Sequence, residues 1–343
     1  MSDTRAALQL PDTALAGYLA GHIPGFQGPL QSVKFKGGQS NPTYLLEAAS
    51  GRYVLRRKPP GTLLGSAHAV DREFRVLQAL HGSAVPVAEP LHLCTDESVI
   101  GSMFYVMSYV DGRVFWDPSL PESTPVARTA LYDTLLRTLA AIHAIDVAKA
   151  GLADYGKPGN YFARQLDRWS RQYRDSETQA IPAMDALIAQ LPQRCPEDDG
   201  SIALVHGDFR IDNLMFSPDG SDVLAVVDWE LSTLGHPLAD LGYLCMALRL
   251  PRNPALPGLA GMDRAPLGIP GEAELLARYA ELTGRAIPSD WPFVLAFSFF
   301  RLAAIAQGVA KRAQLGNASS EQAQQAGQMV QMLAEMGLQE LQN

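Results

Sequence analysis

The sequence predicts an α+β protein with two lobes, because strand patterns fill the first third of the chain and helix patterns fill most of the remainder. Residues 1–110 contain several short runs in which apolar and polar residues alternate, as in half-buried strands. Residues 111–343 instead carry long segments with apolar residues at helical spacing. We therefore expect a small antiparallel-sheet lobe with one helix at 1–110 and a larger, mostly helical lobe at 111–343.

Four strands and one helix are predicted in the first lobe. The segment 30–36 alternates like a half-buried strand, and 43–58 is predicted to form a hairpin that turns at Ser50-Gly51. The segment 67–80 places apolar residues on one helical face, and 103–110 is expected to be a well-buried strand.

The second lobe is predicted to contain five helices and two short strand regions. One strand region is 202–207, and the other, 213–229, is a hairpin that turns at Pro218-Asp219-Gly220. Residues 251–271 include nine Pro or Gly residues, which predicts a surface loop or lid. The last helix could pack on the protein's own core or on a partner. The predicted helices are 125–145, 160–176, 272–284, 290–314 and 320–341.

The composition is typical of a soluble globular protein and argues against two classes of partner. Apolar residues make up 47% of the 343 and charged residues 19%, which is typical of globular domains. A net charge of −8 argues against binding to nucleic acid or to an anionic membrane. The N-terminus lacks an apolar signal segment, and the apolar run at 291–300 is too short to span a bilayer. We expect a cytoplasmic protein with three reduced cysteines, and the oligomeric state is left open.

A polar segment between two apolar runs carries the strongest chemical signal. The segment 204–216, LVHGDFRIDNLMF, contains Asp208 and, five residues later, Asn213; Asp228 follows fifteen residues after that, at the end of an apolar strand. A carboxylate and an amide supply the hard oxygen ligands that Mg²⁺ takes together with substrate phosphates. Asp208 would then accept a hydroxyl proton, in the residue order used for phosphoryl transfer. Taken alone, the segment also fits an Asx-rich turn.

The pattern HGDFRIDNLMF followed by VVDWE resembles the aminoglycoside phosphotransferase-like family, a branch of the protein-kinase-like fold. The stretches GGQSNPTYLL, YVLRRKPPG, AHAVDREFRVLQAL and GHPLADLGYL are similar to the kinase-like domains fused to acyl-CoA dehydrogenases and to their free-standing bacterial relatives. The resemblance covers about residues 30–315. It implies a bilobal kinase-like fold, ATP and Mg²⁺ as cofactors, and phosphoryl transfer to a hydroxyl of a small molecule.

The same resemblance assigns roles to the polar residues of the second lobe. It implies that Asp208 is the catalytic base and that Asn213 and Asp228 are the metal ligands. His206 precedes the base and is expected to orient the loop by hydrogen bonding. Asp240, in GHPLADLGYL, is expected to anchor the loop by hydrogen bonds.

The first lobe is expected to bind the nucleotide. Arg56 stands where the family usually has lysine and would hold the phosphates, with a solvated strand end as the alternative. Glu73 borders the buried face of its helix and is the candidate partner of Arg56. The resemblance alone places adenine against Met107 and the backbone of Ser108 and Val110. A glycine-rich turn would approach the phosphates, although such turns are also ordinary hairpin loops; it comprises Gly37, Gly38, Gln39, Ser40 and Asn41.

The acceptor is open between several classes. The closer resemblance favours a hydroxyacyl-CoA type, and Arg301, Gln307, Lys311 and Arg312 could meet an anionic ligand or be solvated. An aminoglycoside would need an acidic cleft. A nucleotide-binding regulatory protein is suggested by Arg56 at the lysine position, but the complete set of three motif residues argues against it. A metal-dependent phosphoester hydrolase would usually need more ligands than this pattern offers.

Overall fold

The computed structural model describes residues 9–35, 41–59, 69–253, 256–314 and 320–342. Contacts separate two units: the first comprises residues up to 114 with 150–152 and 213–232, and the second comprises 115–149, 153–212 and the chain from 233 onward. The sequence assigned 213–232 to the second lobe. These residues join the first unit because their strands pair with 113–114 and because the N–H of Val226 donates to the Pro86 carbonyl at 2.9 Å.

The described residues form twelve strands and nine helices. The strands are β1 (Leu30–Lys34), β2 (Thr43–Ala48), β3 (Gly51–Arg57), β4 (Pro90–Cys94), β5 (Phe104–Ser108), β6 (Arg113–Val114), β7 (Ala203–Val205), β8 (Leu214–Phe216), β9 (Val223–Val226), β10 (Thr233–Gly235), β11 (Arg252–Asn253) and β12 (Leu256–Pro257). The helices are α1 (Asp12–Ala20), α2 (Val70–Leu80), α3 (Pro125–His143), α4 (Tyr161–Ser176), α5 (Pro182–Gln190), α6 (Leu238–Met246), α7 (Glu272–Thr283), α8 (Trp291–Gln314) and α9 (Ser320–Gln342).

A five-stranded antiparallel sheet organises the first unit, in the order β1-β2-β3-β5-β4. The predicted hairpin is confirmed, since β2 pairs with β3 from Thr43 opposite Arg56 to Ala48 opposite Gly51. The same register sets Arg56 opposite Tyr105 on β5, one strand further into the sheet. Central strands are paired on both edges, so Arg56 projects from a fixed backbone position.

The prediction of a single helix in the first 110 residues was wrong, because α1 precedes the sheet. This helix has nine residues and buries only Leu15 and Leu19, so it is too short to show a helical repeat in the sequence. The predicted second helix is present as α2. Its buried face includes Val70, Phe74 and Leu77, as the spacing predicted.

The predicted helices of the second unit are all present, and the sequence missed α5 and α6. All nine residues of α6 are buried, Asp240 among them, so the helix has no solvent-facing polar side to mark it in the sequence. The prediction of a surface loop at 251–271 was also wrong in part. Leu256, Leu259 and Ile269 are buried there, and β11 pairs with β12.

Helix α8 is the central helix of the second unit. By length and composition its segment Trp291–Arg312 would be long enough to cross a bilayer, yet 89% of its most apolar window is buried inside the protein. Helix α9 packs along α8 and α5. The final helix therefore packs on the protein's own core, which is one of the two alternatives that the sequence left open.

The packing at the end of β10 gives a first testable prediction. A Cβ atom on Gly235 would overlap the buried ring of Tyr161 at the start of α4. We expect Gly235→Ala to lower the free energy of unfolding by about 2 kcal/mol, because a well-packed core resists added volume. Urea denaturation followed by circular dichroism measures the change.

Gly327 in α9 is the matched control, since a Cβ atom there meets nothing within 4 Å. We expect Gly327→Ala to raise the stability by about 0.5 to 1 kcal/mol through its better helix propensity. Equal effects of the two substitutions would contradict the packing described here.

Candidate functional site

Arg56 is the centre of a buried ion-pair cluster in the first unit. Its Nε lies 2.8 Å from Glu73 Oε2, and its Nη2 lies 2.5 Å from Asp228 Oδ1 and 3.5 Å from Glu230 Oε2. The Arg56 side chain is only 11% exposed, which excludes the alternative of a solvated strand end. Burial alone would lower the pKa of Arg56, but the neighbouring carboxylates raise it above its ordinary value. A guanidinium suits this position because its planar fork can contact several carboxylates at once.

Glu73 lies on the buried face of α2 and has three polar partners. Besides the predicted ion pair with Arg56, it accepts hydrogen bonds from Asn41 Nδ2 at 2.7 Å and from the Tyr105 hydroxyl at 3.1 Å. Its side chain is 2% exposed, and the carboxylate has therefore replaced water by specific partners. Asp71, the other acidic residue of the first turn, is exposed. Asn41, which the sequence placed in a phosphate-binding turn, therefore donates its side-chain hydrogen bond to Glu73 in the structure.

The predicted metal residues lie at the same end of one hairpin. In the β8–β9 pair, Leu214 is opposite Val226, and the next N–H, from Val227, donates to the Asn213 carbonyl at 2.9 Å. Asp228 follows directly in the left-handed region, with φ of 64°, where Asp is among the few side chains found. Asp228 is 34% exposed. An amide and a carboxylate therefore stand together where the sequence predicted that they could converge.

Asp240 anchors the loop after β7 in the second unit, as expected. Its buried carboxylate accepts the N–H groups of His206 at 2.7 Å and Gly207 at 2.8 Å, and it lies 3.3 Å from His143 Nε2. Burial would raise the pKa of Asp240, but His143 and these N–H groups together hold it below the ordinary value. His143 also hydrogen-bonds the Tyr279 hydroxyl at 2.7 Å, so it is a core histidine with two partners.

His206 and its neighbours set the position of Asp208. The fully buried His206 ring accepts the Asp208 N–H through Nδ1 at 3.2 Å, which is the orienting role expected for it. The Asp208 side chain is 21% exposed and lies 3.5 Å from Arg210 Nε. Arg210 also pairs with Asp212 at 2.8 Å, so it lies between two carboxylates.

Tyr243 is a site residue that the sequence reasoning missed. Burial raises its pKa first, and the negative charge of the nearby Asp208 carboxylate raises it further. It lies on α6, three residues after Asp240, in the stretch GHPLADLGYL. That spacing places the two residues on one helix face and was the available signal.

The other residues predicted to bind the nucleotide belong to the glycine-rich turn and to the segment 107–110. Gly37, Gly38, Gln39 and Ser40 lie outside the described residues. The Ser108 N–H donates to the Glu89 carbonyl at 2.9 Å, so this backbone donor already has a protein partner. Met107 is partly buried on β5, and Val110 follows in the connection to β6.

Arg301 and Gln307 are buried, so both alternatives proposed for them, an anionic ligand or solvation, were wrong. Arg301 is 3% exposed and donates to the Gly207 carbonyl. Gln307 is 1% exposed and donates to the Ser176 carbonyl at 2.8 Å. Their apolar helix gave no sign in the sequence that these polar groups face inward. Lys311 and Arg312 are less buried.

Two cavities in the second unit have contrasting linings. The larger has a volume of about 420 Å³ and is lined by several carboxylates together with Tyr161, Phe162, His236 and Arg285. Its carboxylates are Glu197, Asp198, Asp199 and Asp290. The smaller has a volume of about 40 Å³ and borders the loop that follows β7. Its polar lining includes Arg210, Asp212 and Tyr243, and its apolar lining includes Trp116, Leu135, Leu244, Ala247, Leu256 and Leu259.

The Arg56 cluster predicts unequal effects for its carboxylates. We expect Glu73→Gln to lower the free energy of unfolding by about 3 kcal/mol, because breaking a buried ion pair leaves its partner uncompensated. Glu230→Gln is the matched control. Glu230 is 22% exposed and lies at 3.5 Å, so its loss should cost about 1 kcal/mol or less. Urea titrations of both variants check this, and equal costs would contradict the buried pairing.

The comparisons with known proteins agree with this geometry. The model of the phosphotransferase enzyme family (APH) matches residues 32–297. Acyl-CoA dehydrogenase family member 10 of Mus musculus is 47% identical over 334 residues, which are 97% of this chain and 31% of that protein. Acyl-CoA dehydrogenase family member 11 of Homo sapiens is 42% identical over 331 residues, 95% of this chain and 42% of that protein. The chain thus spans less than half the length of these relatives.

Two solved structures have folds similar to that of this chain. A crystal structure from Ralstonia eutropha, provisionally described as an aminoglycoside phosphotransferase, is 51% identical with a TM-score of 0.87 and covers 97% of this chain and 98% of its own. Choline kinase from Cryptosporidium parvum shares only 12% identity but has a TM-score of 0.69, over 96% of this chain and 95% of its own. The α+β fold is therefore kinase-like, and with a family match over most of its length the chain belongs to the phosphotransferase enzyme family.

Proposed function

We propose that this chain transfers the γ-phosphoryl group of ATP to a hydroxyl of a small molecule, with Mg²⁺ as the bound ion. The observation that carries the proposal is the β8–β9 register, which brings Asn213 and Asp228 to one hairpin end while Arg56 links Asp228 to Glu73. Phosphoryl transfer requires positioned cations and oxygen ligands more than covalent chemistry by the protein. This cluster offers both within one unit.

The donor set fits a magnesium ion that is shared with phosphates. Asn213 and Asp228 would hold it through an amide oxygen and a carboxylate oxygen, which are the hard ligands that Mg²⁺ prefers. Within the described ranges, no group of three or more His, Cys, Asp or Glu residues is arranged to hold a metal. Phosphate and water oxygens would therefore complete the ligand set, an arrangement that favours a transferase over a two-metal hydrolase. When bound, the ion would neutralise charge on the transferring group.

Asp208 would accept the proton of the acceptor hydroxyl. Its carboxylate is partly exposed and has Arg210 and Tyr243 as neighbours, while Asp240 and His206 fix the backbone beside it. A base held in one orientation acts on a hydroxyl placed within hydrogen-bond reach. Catalysis would come mainly from this positioning and from charge neutralisation.

The cavity next to Asp208 favours an acceptor with an apolar part, as in a hydroxyacyl-CoA. Arg210, which pairs with Asp208, lines the smaller cavity together with Tyr243, and the other walls are mostly apolar. At about 40 Å³ this cavity has room for only a short apolar part of the acceptor, which would lie against these walls while the hydroxyl meets the base. The names of the two acyl-CoA dehydrogenase family relatives agree with this class of compound.

A second candidate is a cationic acceptor such as an aminoglycoside. The larger cavity favours it, because four carboxylates line a volume of about 420 Å³. The provisional description of the Ralstonia structure names the same class. None of Asp208, Asn213 and Asp228 lines either cavity, but Arg210 and Asp212 from the loop that carries Asp208 line the smaller one, so the acyl-type acceptor remains the first choice.

The role of Asp208 is tested by its amide. We expect Asp208→Asn to lower the rate of transfer from labelled Mg-ATP by roughly 100-fold or more, since a general base contributes at least that much. Binding of Mg-ATP, measured by calorimetry, should change little. Asp219→Asn is the control, because Asp219 is exposed in the turn between β8 and β9, and it should keep most of the rate. Full turnover by Asp208→Asn would refute this assignment of the base.

The two acceptor classes are separated by filling one cavity at a time. Ala247 lines the smaller cavity and Ala286 lines the larger one. We expect Ala247→Phe to weaken binding of a hydroxyacyl-CoA by roughly tenfold, because the added ring occupies the apolar space. Ala286→Phe should leave that affinity unchanged. Calorimetry with thioesters and aminoglycosides measures both, and loss of aminoglycoside binding in Ala286→Phe alone would favour the cationic class.

A further inference from the structure

Arg301 is a buried cation that has rings around it in place of carboxylates. It is 3% exposed on α8, and in the described part of the chain no carboxylate lies within ion-pair distance of it. Its guanidinium carbon lies 5.6 Å from the Trp169 ring centroid and 5.3 Å from that of Tyr243. Such cation–π contacts offset part of the cost of removing the charge from water. A buried guanidinium in this setting is costly to retain for packing alone.

The hydrogen bond of Arg301 goes to the peptide group that joins Gly207 to Asp208. Arg301 Nη2 donates to the Gly207 carbonyl of that group. The N–H of the same group, which belongs to Asp208, donates to His206 Nδ1 at 3.2 Å. The preceding N–H, on Gly207, is held by Asp240 at 2.8 Å. Arg301 is therefore the partner of the carbonyl, while His206 and Asp240 hold the two N–H groups.

Gly207 makes this external support necessary. Its φ is +86°, a region that glycine enters freely and in which it gains no local preference for one orientation. Without a partner for its carbonyl, the peptide group before Asp208 is held only through N–H contacts. A buried carbonyl left without a partner is also costly.

Arg301 reaches Asp208 by a second route. The Tyr243 ring lies beside the guanidinium, and Tyr243 is close enough to Asp208 that the Asp208 charge raises the pKa of its hydroxyl. Arg301 therefore touches both the backbone carbonyl that precedes Asp208 and a ring near the Asp208 carboxylate. These contacts join α8 and α6 at the catalytic loop.

We infer that Arg301 is a positioning residue: it fixes the Gly207–Asp208 peptide group and the Tyr243 ring, and thereby the orientation of the Asp208 carboxylate. The inference rests on the proposed function only in that Asp208 is taken as the base. Arg301 acts through Gly207 and Tyr243, which hold the base, and does not act on the substrate.

Amide hydrogen exchange of the full-length chain tests the inference without any acceptor. We expect Arg301→Met to speed exchange of the peptide covering residues 204–210 by roughly tenfold or more, because the carbonyl support is gone. Arg301→Lys keeps a cation and one donor, so its exchange should lie between wild type and Arg301→Met. Exchange in α4 and α6 should stay close to that of the wild type in both variants.

Gln307→Met is the matched control, because Gln307 is an equally buried polar residue of α8 that contacts Ser176 and Thr178 instead. In the Gln307→Met variant, the amide hydrogens of residues 204–210 should exchange as they do in the wild type. Unchanged loop exchange in folded Arg301→Met would overturn the inference, as would acceleration spread equally over α4, α6 and α8. If Arg301→Met does not fold, Arg301→Lys decides: faster loop exchange supports the inference, and wild-type exchange overturns it.

Steady-state transfer from Mg-ATP adds a readout that a purely structural role would not move. We expect Arg301→Lys to lower kcat while KM for Mg-ATP stays unchanged, because the phosphate-binding residues lie in the other unit. A parallel loss of nucleotide affinity would contradict the inference. If the wild-type chain transfers no phosphoryl group, the proposed function fails, whereas the exchange experiment still decides the role of Arg301.

Discussion

Arg56 is buried, and a buried guanidinium is stable only where carboxylates replace the water that it has lost. Glu73 and Asp228 supply that replacement at 2.8 and 2.5 Å, so the central strand, helix α2 and the end of the β8–β9 hairpin are tied to one charge. Asn41 and Tyr105 complete the shell around Glu73. Removing one of these partners weakens the compensation of a buried charge, which explains why residues distant in sequence are held in one geometry.

In the second unit a buried negative charge, in place of a positive one, is stabilised by specific polar partners. Asp240 is a buried carboxylate, and two backbone N–H groups and His143 are the partners that keep it ionised. The hydrogen bonds that offset the cost of burying the Asp240 charge also order the backbone at His206 and Gly207, and Asp208 is the next residue in the chain. The division between the units falls between residues 212 and 213, so the motif HGDFRIDN contributes the proposed base to one unit and a proposed metal ligand to the other.

The polar motif and the periodic elements were predictable because their information is local. The spacing of Asn213 and Asp228 indicated a hairpin with both at one end, and the position of Glu73 beside Phe74 indicated a carboxylate turned toward the core. The structure contains both features. Local patterns failed where burial is complete. All of α6 is buried, so neither the helix nor the position of Tyr243 near Asp208 could be seen in hydrophobic periodicity.

Residue type and short spacing were enough to indicate the division into a sheet-rich and a helical part, the family resemblance and the residues with the chemistry for phosphoryl transfer. The partner that each buried charge takes became known from the folded structure. Arg56 could have been solvated, Asn41 could have faced a phosphate, and Arg301 could have met an anion. Their actual partners, the Glu73 carboxylate for the first two and the Gly207 carbonyl for the third, depend on which distant segments pack together, and packing is a property of the whole fold.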